Sequence, residues 1–242
     1  GEEAGTRWTS SGEGRFSVED TDRTTIGTTV TLHLRPAAPD DGLDDFAELH
    51  TLRTVVKRHS DFVQYPVRLP ASGDDAEGCW ETVNSMKAIW TRPEAEVTDE
   101  EYAEFYRHIA HDWQPPLSRI RLRAEGTFEY DALLFIPTQP PFDLFYREAQ
   151  YGLRLYVNRV MVLERCEDLL PPWLRFVRGV VDSPDLSLNV SREMLQQDRR
   201  LGAIRKRVTK KVLDELRKTL DEDRSAYESL WASYGRALKE GI

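Results

Sequence analysis

One arginine in this chain stands where an arginine could hold a phosphate group. The run 185–196 reads DLSLNVSREMLQ, and the apolar alternation at its start predicts a half-buried extended segment. Ser191 would then cap a helix that begins at Arg192, because its hydroxyl can accept a backbone N–H of the first turn. Arg192 and Gln196 are four residues apart and would share one face of that helix. A guanidinium beside a helix start can bind phosphate oxygens, although a solvated first-turn arginine is the commoner outcome.

The composition indicates a globular chain rather than a membrane or nucleic-acid-binding one. Of 242 residues, 40% are hydrophobic and 31% charged, which suits one or two domains with a real core. We expect no membrane partner, because no apolar run approaches the roughly 20 residues that span a bilayer. The net charge of −9 disfavours nucleic acid. Two distant cysteines and the lack of an export signal favour a cytoplasmic location.

The first part of the chain reads as strands followed by a helix. Residues 15–19 and 28–34 alternate as strands do, and apolar residues at helical spacing predict a helix over 43–59. The pattern becomes extended again over 63–69. Residues 71–78 lack bulky apolar side chains, so they cannot contribute to a core and predict a domain boundary.

The second part mixes helix and strand. Thr98 and Glu101 form a capping-box signature in front of a helical apolar stripe. Residues 118–125 and 127–136 predict a hairpin about Gly126, and 153–162 predicts another strand. From Arg192 onward the pattern is helical, with a further helix over 226–238. The predicted fold class is therefore mixed α/β (α+β).

Many blocks besides 185–196 carry one family pattern in the same order. They lie at 27–34, 59–62, 87–92, 100–106, 133–137, 141–145, 166–171 and 174–183. Together they resemble the ninety-kilodalton heat-shock chaperones, in particular the bacterial high-temperature protein G type, over nearly the whole chain from about residue 8. One departure is Ser187, where that family usually has proline. Serine would loosen the approach to Arg192.

The resemblance implies a domain organisation. Residues 1–70 would be the C-terminal part of a GHKL-type ATPase domain, with strands and a helix, and 71–78 a linker. Residues 79–195 would form the large α/β subdomain of a middle domain, a mixed sheet packed with helices, and 196–242 its helical extension. On this reading the chain is a fragment. The rest of the ATPase domain and the dimerisation domain of a homodimeric parent would lie outside it.

The resemblance also implies roles for individual residues. Arg192 would contact the γ-phosphate of ATP in the closed state, assisted by Gln196, as an arginine finger does in other hydrolases. Gly27 and Thr28 would lie near the adenine. We expect ATP and Mg in the full-length parent, none bound to this fragment, and no ATPase activity from the fragment alone.

A third group predicts docking. The resemblance implies that the loop with Phe142, Leu144 and Phe145 supports the ATPase domain in the closed state. It implies that the region of Trp90 contacts partly folded client proteins or co-chaperones. Rigid apolar area suits docking, but aromatic residues are usually buried, so core packing is an equal alternative.

Two further patterns are weighed and set aside. His108 and His111 could share a metal on one helix face, but no third ligand is evident, so we predict no metal site. The basic run 205–211 reads as a solvated helix face. The alternative to a chaperone is a free-standing scaffold or adaptor module that binds proteins without nucleotide.

Overall fold

A computed structural model describes residues 5–23, 25–38, 40, 43–71, 78–126, 128–146, 150–186 and 198–241. The chain forms two compact units, 1–47 and 48–242. Among the helices described, none is both long enough and apolar enough to cross a membrane.

The first unit is built on a β-hairpin. Strands β1 (Gly5–Ser10) and β2 (Phe16–Thr21) are antiparallel, and the rings of Trp8 and Phe16 stack with centroids 6.1 Å apart. The strand predicted over 15–19 is confirmed. The strand predicted over 28–34 is wrong: these residues have no regular secondary structure. They pair with no strand in the described part of the unit, and an alternating pattern forms a strand only beside a partner for its backbone groups.

The second unit holds the remaining elements. Its helices are α1 (Leu49–His59), α2 (Asp99–Ala110), α3 (Arg199–Glu222) and α4 (Arg224–Leu238). Its strands are β3 (Arg68–Pro70), β4 (Trp80–Thr82), β5 (Ser118–Ala124), β6 (Tyr130–Ile136), β7 (Leu153–Val157), β8 (Val160–Cys166) and β9 (Arg178–Asp182).

A five-stranded mixed sheet organises this unit, in the order β5-β6-β9-β7-β8. The pairing of β7 with β9 is parallel and the other three pairings are antiparallel. At Gly179, with φ of +148°, an added Cβ would lie 2.3 Å from the carbonyl oxygen of Leu133. Only glycine therefore allows the central strand β9 to approach β6 this closely. The predicted mixed α/β class is confirmed.

Both faces of the sheet are buried. Leu134 and Val181 face one core, which α3 and α4 cover, while Phe135 and Val180 face a second core beneath α2. Successive side chains of a strand point to opposite faces, which is why β6 and β9 are apolar almost throughout.

Three local features that the sequence predicted are present in the structure. The Thr98 hydroxyl accepts from the Glu101 N–H at 3.2 Å, and the Glu101 carboxylate accepts from the Thr98 N–H at 3.0 Å, so the predicted capping box is confirmed. The predicted hairpin about Gly126 is β5 and β6. The helical pattern predicted from Arg192 onward corresponds to α3, where the apolar residues Ile204, Val208, Val212 and Leu216 are buried.

Three predicted elements differ from those observed. The helix predicted over 43–59 begins only at Leu49, because Glu48 has an extended backbone. The single strand predicted over 153–162 is two, β7 and β8, joined by a turn at Asn158 and Arg159, whose φ angles are 50° and 66°. The helix predicted from Arg192 is described only from Arg199, after the extended residue Asp198.

The segment predicted as a linker, 71–78, connects two paired strands. β3 and β4 are antiparallel on either side of it, and the Ala71 N–H donates to the Cys79 carbonyl at 2.9 Å. Both strands belong to the second compact unit, whose first residue is Glu48. Residues 72–77 lie outside the described ranges, and the domain boundaries drawn from the resemblance remain predictions.

A buried carboxylate joins the sheet to the second core. Asp182, at the end of β9, is 5% exposed. It accepts hydrogen bonds from Trp90 Nε1 at 2.9 Å and from the Arg159 backbone N–H at 3.2 Å. Burial raises the pKa of the Asp182 carboxyl, and these two donors oppose that rise. Trp90 is therefore the main donor that favours the charged form of this buried carboxyl.

We predict that Trp90→Phe lowers the free energy of unfolding by roughly 2–4 kcal/mol, because it leaves a cavity and removes a donor from a buried carboxylate. Urea denaturation at neutral pH measures this. The pKa of Asp182 is higher in the folded than in the unfolded state. The fold therefore loses stability as pH rises from the unfolded-state pKa to the folded-state pKa, and this loss is larger without Trp90. The destabilisation caused by Trp90→Phe should therefore be smaller at acidic pH. Trp113→Phe is the control, since Trp113 is 84% exposed; an equal loss there would contradict the account.

Candidate docking loop

The residues predicted to sense phosphate lie in one segment of the chain. Ser191, Arg192 and Gln196 belong to 187–197, which lies outside the described residues, and their roles remain predictions. Gly27 and Thr28 are described and exposed in the first unit. Gly27 has a φ of +136°, a conformation that favours glycine.

Trp90 is a core residue. Its side chain is 1% exposed, and its ring lies 4.8 Å from that of Phe62, 5.1 Å from Tyr156 and 5.4 Å from Phe105. A side chain enclosed in this way presents no area to a client. For Trp90, then, the structure favours core packing over docking.

The loop after β6 does present aromatic area. Pro140 and Pro141 restrict the backbone, and two successive turns follow, with Leu144 N–H donating to the Pro141 carbonyl at 3.1 Å and Tyr146 N–H to the Asp143 carbonyl at 2.8 Å. Phe142 is 88% exposed and Tyr146 is 65% exposed. Their rings meet edge to face at 6.2 Å. We call residues 141–146 the docking loop.

Leu144 anchors the docking loop from beneath. It is 3% exposed and belongs to the core that α3 and α4 cover. Its carbonyl accepts from Arg175 Nε at 2.8 Å. Arg175 also donates two hydrogen bonds to the Glu240 carboxylate, from Nη1 to Oε2 and from Nη2 to Oε1, the latter at 2.8 Å. These bonds lower the pKa of Glu240 and raise that of Arg175. A bidentate pair thus ties the loop to the C-terminal end of the described chain.

Phe145 sits between two cations. The guanidinium carbon of Arg236 lies 4.4 Å from the centre of its ring, and that of Arg175 lies 5.5 Å away. Such contacts hold an aromatic ring in place while part of it stays accessible. Directly after β6, four residues before the docking loop, the Tyr234 hydroxyl donates to the Pro137 carbonyl at 2.9 Å. The exposed pair Phe142 and Tyr146 therefore lies on a loop that is anchored by Leu144 and by the contacts of Phe145.

The described residues on either side of 187–197 are bound to each other. Arg200 donates to the carboxylate of Asp198, with Nη2 to Oδ2 at 2.8 Å, and also to the carbonyl of Asp185. The Asp185 carboxylate accepts from the Glu129 N–H at 2.6 Å. Asp198 in turn caps α3 through the Arg200 N–H at 2.8 Å. Arg200, in the first turn of α3, therefore links the residue that precedes this helix to Asp185, just after β9.

Across the described residues, no group of three His, Cys, Asp or Glu side chains is arranged to hold a metal. His111 ends α2 in the left-handed conformation, with φ of 53°. His108 and His111 thus gain no third ligand from this part of the chain.

These features define a class: a mixed α/β domain that presents an anchored aromatic loop and has a helical pair against one face of its sheet. Comparison with known families agrees with it. The model of the family described as Hsp90 protein matches residues 72–242. The chain belongs to the Hsp90 family.

Bacterial relatives match the whole chain. It is 52% identical over 250 residues to Chaperone protein HtpG of Streptomyces coelicolor. It is 50% identical over 256 residues to the protein of the same name from Mycobacterium tuberculosis H37Rv, and 49% identical over 252 residues to that of Mycobacterium avium. The chain spans 39% to 40% of the length of these relatives.

Several residues of the docking loop's support were not anticipated. Arg175 lies inside a block that carries the family pattern, but its partner Glu240 is 65 positions away. Arg236 contacts Phe145 from α4. Tyr146, directly after the predicted loop residues, shares the exposed surface with Phe142. The only sequence signal for Tyr146 was that it is aromatic and directly follows the predicted loop residues.

We predict very unequal losses of stability at two nearby positions of the docking loop. Leu144→Ala should lower the free energy of unfolding by about 2–5 kcal/mol, because it empties a core site. Phe142→Ala should change it by less than about 0.5 kcal/mol, since its ring is in solvent. Chemical denaturation of both variants measures this. A large loss for Phe142→Ala would show that its ring supports the fold instead of presenting a surface.

Proposed function

We propose that this chain is part of an ATP-dependent molecular chaperone and that its second unit docks other protein surfaces through the docking loop. The observation that carries this is the pair Phe142 and Tyr146, exposed on a loop whose neighbours Leu144 and Phe145 are anchored. Aromatic area on a rigid base binds at low entropic cost. The printed name of the bacterial relatives, chaperone protein, supports the same class.

The docking loop's occupant, on this proposal, is the chaperone's own ATPase domain in the closed state. An exposed phenylalanine and tyrosine suit a contact that forms and breaks during a cycle, because their apolar area is modest and their backbone is fixed beforehand. Client proteins and co-chaperones would be bound elsewhere on the longer protein or on other surfaces of this unit. Trp90 is not proposed as a client contact, since it is buried.

Arg192 is proposed as the residue that contacts the γ-phosphate, with Gln196 beside it. The clamp that Arg200 makes between Asp185 and Asp198 supports this, because it joins the described residues that flank the segment containing Arg192. A guanidinium placed in advance stabilises charge that develops on phosphoryl oxygens without reorganising.

The described residues do not enclose a nucleotide. Gly27 and Thr28 are exposed, and the backbone that follows them is irregular, so they cannot exclude water from an adenine. ATP and its Mg²⁺ would accordingly be bound chiefly by parts of the longer protein, where hydrolysis drives the conformational cycle. Homodimerisation of that protein is part of the same proposal.

We predict that Arg192→Ala in the full-length protein lowers the rate of ATP turnover by at least about tenfold and leaves nucleotide affinity nearly unchanged. The contact forms mainly in the closed state, so its loss raises the barrier without weakening ground-state binding. Steady-state turnover and calorimetric ATP binding measure the two quantities.

The control for this variant is Arg217→Ala, since Arg217 is an exposed arginine of α3; it should turn over ATP as the wild type does. The 242-residue chain alone should show no turnover. Wild-type turnover in Arg192→Ala would contradict the phosphate role. Absence of ATP turnover in the full-length wild type would instead favour an adaptor that works without nucleotide.

We predict that Phe142→Ala slows closure of the full-length protein on ATP, because the closed state loses apolar area at its docking contact. Fluorescence energy transfer between a label on the ATPase domain and one on the second unit measures closure. Tyr65→Ala is the matched control, because Tyr65 is a 68% exposed aromatic residue outside the loop. Equal closure rates for Phe142→Ala and wild type would rule out docking through this loop.

A further inference from the structure

A small basic cleft lies on the second unit, apart from the docking loop and the Arg200 clamp. It is formed where the C-terminal end of α2 meets the starts of β7 and β9 and the end of β8, and its volume is about 180 Å³. Three arginines line it: Arg154 on β7, Arg165 on β8 and Arg178 on β9. His111, Tyr151 and Glu164 complete the charged and titratable lining.

These guanidinium groups bond to neutral acceptors. Arg154 Nη2 donates to the Ile109 carbonyl at 3.5 Å and Arg178 Nη1 to the Arg175 carbonyl at 2.8 Å, while Arg165 donates to the amide oxygen of Gln150. The only carboxylate in the lining, Glu164, is bound by Arg58 at 2.7 Å. Its pKa is lowered chiefly by this bond and also by Arg154 and Arg165, which act from beyond ion-pair distance, so one carboxylate faces four arginines.

No ion pair joins the three arginines to a carboxylate among the residues that the structure describes. Asp143 acts on Arg178 only from beyond ion-pair distance, and burial lowers the pKa of the Arg178 guanidinium. Placing several cations together in a partly buried cleft is unfavourable unless an anion compensates them. In a chain whose net charge is −9, this concentration of positive charge is a local exception.

We propose that this cleft binds an oxyanion, either a phosphate group or a carboxylate. Arginine presents planar pairs of N–H donors that match the oxygens of both, and the volume suits such a group better than a larger ligand. This proposal does not depend on the proposed role of the chain in an ATP cycle. Arg154 also bonds to a carbonyl of the last turn of α2, so a purely structural use of these arginines is the competing account.

The test is a titration of the 242-residue chain with inorganic phosphate, followed by the Nε–H resonances of its arginines, at an ionic strength held constant with chloride. Arg154, Arg165 and Arg178 should shift together and saturate. Arg165→Gln should weaken binding about tenfold, because it removes one charge-assisted donor. Arg165 is exposed, and an unchanged amide spectrum would establish that the fold is intact. Arg217→Gln, on the surface of α3, should leave the affinity as it was.

Acetate titrated in the same way separates the two sources of the oxyanion. Saturable shifts with both anions mean that carboxylates are accepted, and shifts with phosphate alone mean that the site takes phosphate groups. Non-saturating shifts with both anions would overturn the proposal. Equal weakening by Arg165→Gln and Arg217→Gln would also overturn it, because it would show general attraction to positive charge.

Discussion

The hydrogen bond from Trp90 to Asp182 joins the central strand of the second unit to its aromatic core. A carboxylate that is 5% exposed at the end of a central strand would be strongly unfavourable without donors. Trp90 supplies one donor from the aromatic core, and the turn at Arg159 supplies the other. The same side chain packs against Phe62, Tyr156 and Phe105. Trp90 thus both donates a hydrogen bond to the buried carboxylate and packs in the aromatic core.

Strand β9 relates this contact to the two candidate functional regions. Before it stands Arg175, which holds the docking loop through the carbonyl of Leu144. After it stands Asp185, one end of the clamp made by Arg200. Because β9 is buried on both faces and paired on both edges, it can move little by itself. The docking loop and Asp185, which lies before 187–197, are thus both attached to one buried strand, and this fits the proposal that docking is coupled to nucleotide state.

Local signals in the sequence anticipated local structure well. The capping box at Thr98 and the hairpin about Gly126 were predicted because each depends on residues a few positions apart. The turn at Asn158 and Arg159 was missed, since it places two non-glycine residues at positive φ. Whether an aromatic residue is buried depends on distant partners: Trp90 and Phe142 carry similar signals, yet one is 1% and the other 88% exposed. The pair of Arg175 with Glu240 likewise has no local signature.

Our central proposal is that the docking loop and Arg192 act on the same step, the formation of the closed state in an ATP-driven chaperone. A double-mutant cycle in the full-length protein, with Phe142→Ala and Arg192→Ala measured singly and together by ATP turnover, tests it most directly. Residues that act as a unit have non-additive effects, so the double variant should be scarcely slower than the worse single variant. Losses that simply multiply would show that the loop and the arginine work independently, and would contradict the account.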